Sequence, residues 1–303
     1  MNLLKEILKK NKYVYSFSLK VFNIIIKFFD GTIPFYFYRL FNKSFKYRLV
    51  DGRTIRFYPE GQISKRIFTN SFENHQVTAF QRIIKPGMIV VDAGANIGLY
   101  SLIASKIAGL KGKVFSFEPS KETFKRLENN IKLNNFHNIT AVNEGLGDKP
   151  NEKLILRQDT GYGDAERYLF SGNEAPDIEL ENIALKNEEE IIIDTVDSNL
   201  YKRDVKKIDF LKIDTEGFEY YILKGAKQVL RNSPEIVMLM ECTPFGTARA
   251  NTSQKEVFKI LKDNNLNIFY WNTVLNDWSD DDGIYNAGDV WVCKNINQLN
   301  ISN

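Results

Sequence analysis

The chain has 303 residues, 43% of them apolar, and a net charge of +3. That length supports a full α/β core with room for an extra segment, and that charge lacks the strongly basic footprint of a nucleic-acid binder. Cys242 and Cys293 fall in strand-like apolar stretches and no zinc-type Cys/His spacing is present, so reduced, buried thiols in a cytoplasmic protein are expected.

Charge is uneven along the chain. Residues 1–50 carry ten Lys and Arg against Glu6 and Asp30. Lys5, Lys9, Lys12, Ser16, Lys20, Asn23 and Lys27 recur at steps of three and four, which predicts one polar stripe on a largely apolar helix over residues 3–29. The run is too short and too charged to span a bilayer, and it lacks the cleavage site of a signal peptide. Two readings stand: a helix packed on protein, which is the commoner fate of such a stripe, and a helix lying on the inner face of a membrane. Tyr47–Tyr58 alternates around Asp51-Gly52 and predicts a β-hairpin. Residues 1–71 therefore read as an extension, and residues 72–303 as the main domain.

That domain opens, after Pro86-Gly87, with an apolar strand ending in Asp92. Ala93-Gly94-Ala95-Asn96-Ile97-Gly98 forms a small-residue turn, and a helix follows to about Ala108. Asn96 stands where a dinucleotide fingerprint needs its second glycine, and no Gly-Lys-Ser/Thr follows. An acid directly before the turn repels a pyrophosphate and favours a cationic ligand. A sulfonium with an amino-acid tail suits it, which points to S-adenosylmethionine. Lys113–Phe117 is a second strand, and Glu118 at its end has the spacing of a ribose-binding acid. Thr140–Val142 is a third strand, with Asn143 or Glu144 placed to meet an adenine. Residues 150–190 interrupt the pattern, strand-like over Lys153–Arg157 and then polar and Gly-rich, and read as a lid or loop, the expected seat of acceptor choice; Ile191–Asp194 is a further strand leading into a short helix.

Phe210–Ile213 is the fourth core strand, with Asp214 at its carboxyl end, where ligands bind in open α/β sheets. Glu216 and Glu219 follow, then a helix over Tyr220–Leu230. Glu241 ends a fifth strand at the same edge, and Asn267–Asn272 with Asp289–Cys293 complete a count of seven. Asp214, Glu216 and Glu241 are the candidate catalytic carboxylates, with His75 a lesser candidate. They can hold a methionine amine or take a substrate proton. A divalent cation is the less favoured use, because no histidine joins them.

Two blocks, Val91–Gly98 and Phe210–Glu219, with Leu223-Lys224-Gly225-Ala226 beyond, resemble the FkbM family of S-adenosylmethionine-dependent methyltransferases over about residues 72–295. The resemblance implies an α/β, Rossmann-like class I methyltransferase fold: a seven-stranded sheet carrying the N-terminal helical and hairpin extension. It implies a cofactor site of Asp92, Gly94, Asn96, Gly98, Glu118, Asn143 and Asp214. It also implies O-methylation of a small-molecule or glycan acceptor, such as a sugar or secondary metabolite. N-methylation of a small molecule and a non-catalytic scaffold at a membrane are the alternatives. The Asn/Asp-Pro-Pro-Tyr motif of many nucleic-acid methyltransferases is absent, so no nucleic-acid partner is expected.

Overall fold

The computed structural model describes residues 44–49, 51–58, 62–68, 73–159, 167–169, 185–272, 277–280 and 288–299. The predicted helix over residues 3–29 lies outside them. No described helix is long and apolar enough to cross a membrane. The chain divides into two compact units, Met1–Asn74 with Tyr162–Ala165, and His75–Gly161 with Glu166–Asn303.

In the first unit, β1 (Phe45–Arg48) and β2 (Thr54–Phe57) form the expected antiparallel hairpin around Gly52, whose φ is +87°. The helix α1 (Gln62–Phe68) follows. Phe45, Phe57 and Phe68 meet edge to face at 5.4–5.6 Å, the arrangement that ring quadrupoles favour.

The second unit begins with α2 (Asn74–Ile83) and alternates strand and helix: β3 (Ile89–Ala93), α3 (Leu99–Ala108), β4 (Lys113–Phe117), α4 (Lys121–Asn134) and β5 (Ile139–Val142). After an excursion through β6 (Gly145–Leu146), β7 (Glu152–Asp159), β8 (Arg167–Leu169) and β9 (Leu185–Asp194), the chain re-enters the alternation. It then runs through α5 (Val196–Tyr201), β10 (Phe210–Ile213), α6 (Glu219–Lys224), α7 (Lys227–Asn232) and β11 (Val237–Glu241). The end is α8 (Pro244–Arg249), α9 (Gln254–Asp263), β12 (Asn267–Asn272), β13 (Asp277–Asp280) and β14 (Asp289–Cys293).

Eight of the described strands make one sheet in the order β13-β12-β14-β11-β10-β3-β4-β5. The five from β11 to β5 are mutually parallel, and β14 pairs antiparallel with β11. All seven expected strands are present. The eighth, β13, falls where the sequence reads as an exposed acidic turn. Trp278 draws it in, packing edge-on against Trp271 at 5.1 Å and Trp291 at 5.7 Å. The central strands are apolar on both faces because helices cover both sides. Val90, Val91, Phe210, Leu211, Met238 and Leu239 are all buried.

Two other expectations change. In the 150–190 interruption the strand-like Lys153–Arg157 lies in β7 as expected, and the strand expected at Ile191–Asp194 begins earlier, at Leu185. β7 and β9 pair as a long antiparallel ribbon within a second sheet, ordered β6-β9-β7-β8. Leu156, Ile191 and Ile193 face inward onto Phe218 and Ala250, while Lys153–Glu190 and Arg157–Glu188 pair outside at 2.8 and 2.9 Å. The helix expected over Tyr220–Leu230 is split into α6 and α7. Gly225 lies at the break, so close to Gly147 that a Cβ would stand 1.9 Å from the Gly147 carbonyl oxygen.

Candidate active site

The five parallel strands all end at one edge, and all of the site residues named from sequence lie there. Gly94 turns the chain with φ +78°, and its amide and that of Ala95 donate to the Phe117 carbonyl at 3.0 and 2.9 Å. A Cβ on Gly94 would sit 1.9 Å from the Asp214 carbonyl oxygen, so the turns after β3 and β10 touch backbone to backbone. Asn96 takes φ +50° and accepts from the Ile97 amide through Oδ1 at 2.8 Å. Gly98, with φ +95°, leads into α3.

Glu118 ties the first two strand ends together. Its Oε2 accepts from the Asn96 amide and its Oε1 from the Ser120 amide, both at 3.0 Å. A carboxylate is acceptor-only and can take more than one donor per oxygen, the chemistry that a ribose diol calls for. Asn143 follows β5 and donates both amide hydrogens, to the Glu118 and Pro119 carbonyls at 2.9 Å. Its Oδ1 is left as the group it can offer. Glu144 is drawn away by Asn199, whose Nδ2 donates to it at 3.1 Å.

Asp92 lies deeper than its place before the turn suggests. It is 1% exposed, and its Oδ2 accepts from Ser101 Oγ at 2.6 Å, which itself lies 2.7 Å from Ser116 Oγ. Burial pushes its carboxyl above the usual range, opposed by the Lys212 charge. Oδ1 is buried without a hydrogen-bond partner. An orphaned acceptor of this kind is costly, and a cationic amine, or a water bound to one, would satisfy it. The residues thus fit a ligand with a nearby ammonium, as the sequence suggests.

Lys212, in β10, is the register partner of Asp92 and is 4% exposed. Its ammonium bonds Asp214 Oδ2 at 2.8 Å and stands 4.6 Å from the centre of the Tyr100 ring. Beyond Asp214, the turn is fastened by Glu219. Its buried Oε1 accepts from the Thr215 amide at 3.3 Å, Thr215 Oγ1 at 3.0 Å and the Gly217 amide at 3.1 Å. The last acid of the Asp-x-Glu-Gly-aromatic-Glu block therefore holds the loop. Glu216 sits at φ +58°, and Arg249 reaches both its carbonyl and its Oε2 at 3.1 Å. Gly217 abuts α8, where a Cβ would meet the Gly246 carbonyl oxygen at 2.0 Å.

Asp214, Glu216 and Glu241 converge, each with one carboxylate oxygen within 4.8 Å of the others. The partners differ. Lys212 neutralises Asp214 and Arg249 neutralises Glu216, whereas among the described residues no cation bonds Glu241. Burial pushes Glu241 up to about 10, helped by Asp214, Glu216, Glu219 and Asp289. Asp289 is its register partner on β14 and accepts from Gln76 Nε2 at 2.8 Å. A divalent cation could bridge carboxylates so spaced, but two of the three already carry a cationic partner. His75 is exposed, its ring 6.4 Å from that of Trp271, and His137 is exposed too.

Lys212 and Arg249 are the residues that sequence reasoning missed. Lys212 left a signal, a lone charge inside an apolar strand, whereas Arg249 left none, because only the fold brings it across 33 residues to Glu216. Both cysteines are free and buried, and burial pushes both thiols up.

Residues 92–267 match the model of the methyltransferase FkbM domain. The chain belongs to the FkbM methyltransferase family. Among curated relatives it is 24% identical over 204 residues to "Methyltransferase sdnD" of Sordaria araneosa, covering 59% of this chain and 76% of that one. It is 25% identical over 143 residues to "Methyltransferase 1" of Beauveria bassiana, covering 45% and 57%. Among solved structures, a SAM-dependent O-methyltransferase from Thermotoga maritima shares 14% identity over 84% of this chain and 80% of its own, with a TM-score of 0.39. A SAM-dependent methyltransferase from Aquifex aeolicus shares 15% over 73% and 88%, with a TM-score of 0.38. As an FkbM methyltransferase with this class I sheet, the protein uses S-adenosylmethionine. Asp92, Gly94, Asn96, Gly98, Glu118 and Asn143 are the residues whose placement suits that ligand, which supplies an electrophilic methyl group when bound.

Proposed function

We propose that this FkbM methyltransferase methylates a hydroxyl oxygen on a sugar, a glycan precursor or a secondary metabolite. The observation that carries this reading is the convergence of Asp214, Glu216 and Glu241 beside the cofactor turn. A neutral amine attacks a methyl group with a lone pair it already has. A hydroxyl must shed its proton during attack, so it gains from a carboxylate within hydrogen-bond reach.

Methyl transfer is an in-line displacement, and alignment alone can contribute about 7–11 kcal/mol. Here the chain contributes rigid strand ends. Gly94 and Asp214 lock two of them by backbone contact, and Glu118 joins a third. The test is transfer from S-adenosylmethionine carrying a labelled methyl group to a panel of monosaccharides, nucleotide sugars, lipid-linked glycans and polyketide alcohols. The product is then read by carbon NMR. A methoxy resonance is expected, and an N-methyl resonance in the only product formed would overturn the reading.

A further inference from the structure

Three carboxylates meet at the edge, and their partners separate them. A proton taken by Asp214 would compete with the Lys212 ammonium at 2.8 Å, and one taken by Glu216 with the Arg249 guanidinium at 3.1 Å. Both cationic side chains are at most 5% exposed, so water does not easily replace the pair that is lost. Glu241 is acted on by the acids Asp214, Glu216, Glu219 and Asp289, and among the described residues no cation bonds it directly, Lys212 and Arg249 being held by Asp214 and Glu216. Taking a proton there breaks no ion pair and relieves repulsion.

We propose that Glu241 takes the acceptor's proton, and that Lys212 and Arg249 are positioning residues that assign it this role by occupying Asp214 and Glu216. This rests on the reading of a hydroxyl acceptor. In the step, the acceptor O–H bond breaks and its proton passes to a Glu241 carboxylate oxygen. The acceptor oxygen forms the new C–O bond to the methyl carbon. The C–S bond breaks with its electron pair going to sulfur, which becomes a neutral thioether. Glu241 then returns the proton to water.

The same geometry couples cofactor charge to this acid. Burial and like charge hold a proton on Glu241 in the free enzyme at neutral pH. Bound S-adenosylmethionine would supply the positive charge that Glu241 lacks, and Glu241 would then give up its proton. S-adenosylhomocysteine has the same amino-acid tail without the sulfonium charge.

The experiment is calorimetric titration of the full chain with each ligand, in two buffers of different ionisation enthalpy. It is run at about pH 6.5, below the amino-group range of roughly 7.7–8.0. Wild type is expected to release on the order of one proton more with S-adenosylmethionine than with S-adenosylhomocysteine. Glu241→Gln is expected to erase that difference while both ligands still bind. Adding Arg249→Met to Glu241→Gln removes the guanidinium from Glu216 and is expected to restore part of the difference, which a merely structural arginine would not do. An undiminished difference in Glu241→Gln, no difference in wild type, or no binding by folded protein overturns the proposal, and a double variant that restores nothing overturns the part given to Arg249. The hydroxyl reading fails separately, in the methyl linkage of the product, which this proton count does not measure.

Discussion

Gly94 is the position with least freedom at the site. An alanine there would hold φ +78° against its preference and drive its Cβ to 1.9 Å from the Asp214 carbonyl, so one of the two turns must move. Gly94→Ala is expected to weaken S-adenosylhomocysteine binding on the order of 100-fold, because a small misplacement of aligned groups can cost that much; calorimetry checks it. Glu219 has a different task. Three donors converge on one buried oxygen, and Glu219→Ala orphans them, for an expected loss of about 2–3 kcal/mol in urea unfolding. Glu241 carries a pH signature. Its folded-state value, about 10, lies above the unfolded reference of roughly 4.3. The stability it contributes is therefore full below the unfolded value and is lost as pH rises toward the folded one. Glu241→Gln of the ligand-free protein should melt near the wild-type temperature at about pH 4 and above it toward about pH 9. A gain that shrinks with rising pH would contradict this.

Among the elements, β10 is the hinge of the design. It pairs with β3 on one side and β11 on the other, and it carries Lys212 and delivers Asp214. Its first residue, Phe210, is fully buried between Phe80 at 4.9 Å and Trp291 at 6.1 Å, both edge-on. Phe210→Ala should cost about 3–5 kcal/mol, through lost transfer energy and the cavity left behind. Denaturant unfolding with an unchanged m value would confirm a loss confined to packing. α8 was missed in sequence because its six residues are too few for a readable period. Thr243 caps it through the Gly246 amide, and its last residue is Arg249, which closes on Glu216.

At the scale of the whole molecule, the candidate cofactor residues stand at strand ends separated by more than a hundred residues, from Asp92 to Asp214. Ligand binding should therefore stabilise the cooperative unit rather than one loop. Cofactor at a hundred times its dissociation constant adds about 2.7 kcal/mol to the folded state. The melting temperature of wild type should rise accordingly, and that of Gly94→Ala, at about its own dissociation constant under the same ligand concentration, should rise by only the equivalent of about 0.4 kcal/mol. Equal rises in both would place the ligand away from the β3 turn.

The positions of the core strands along the chain, the turn after β3 and the acids at the strand ends could be read from the sequence, whereas the order of the strands in the sheet came only as what the family resemblance implies. The first three depend on local chemistry: apolar runs that end in Asp92, Glu118, Asp214 and Glu241, and glycines where the backbone must turn. Residues 150–190 were less legible, because their ribbon depends on pairing across a wide gap and on burial against Phe218. What tertiary structure alone decided is how the acids divide their work. Sequence shows four carboxylates of one kind, but their surroundings differ. Asp92 is buried under α3, Asp214 and Glu216 are each held by a cation, and Glu241 is left among like charges. Proton affinity and charge pairing depend on neighbours in space, and for Arg249 on Glu216 or Asp289 beside Glu241, only the folded sheet brings those neighbours together.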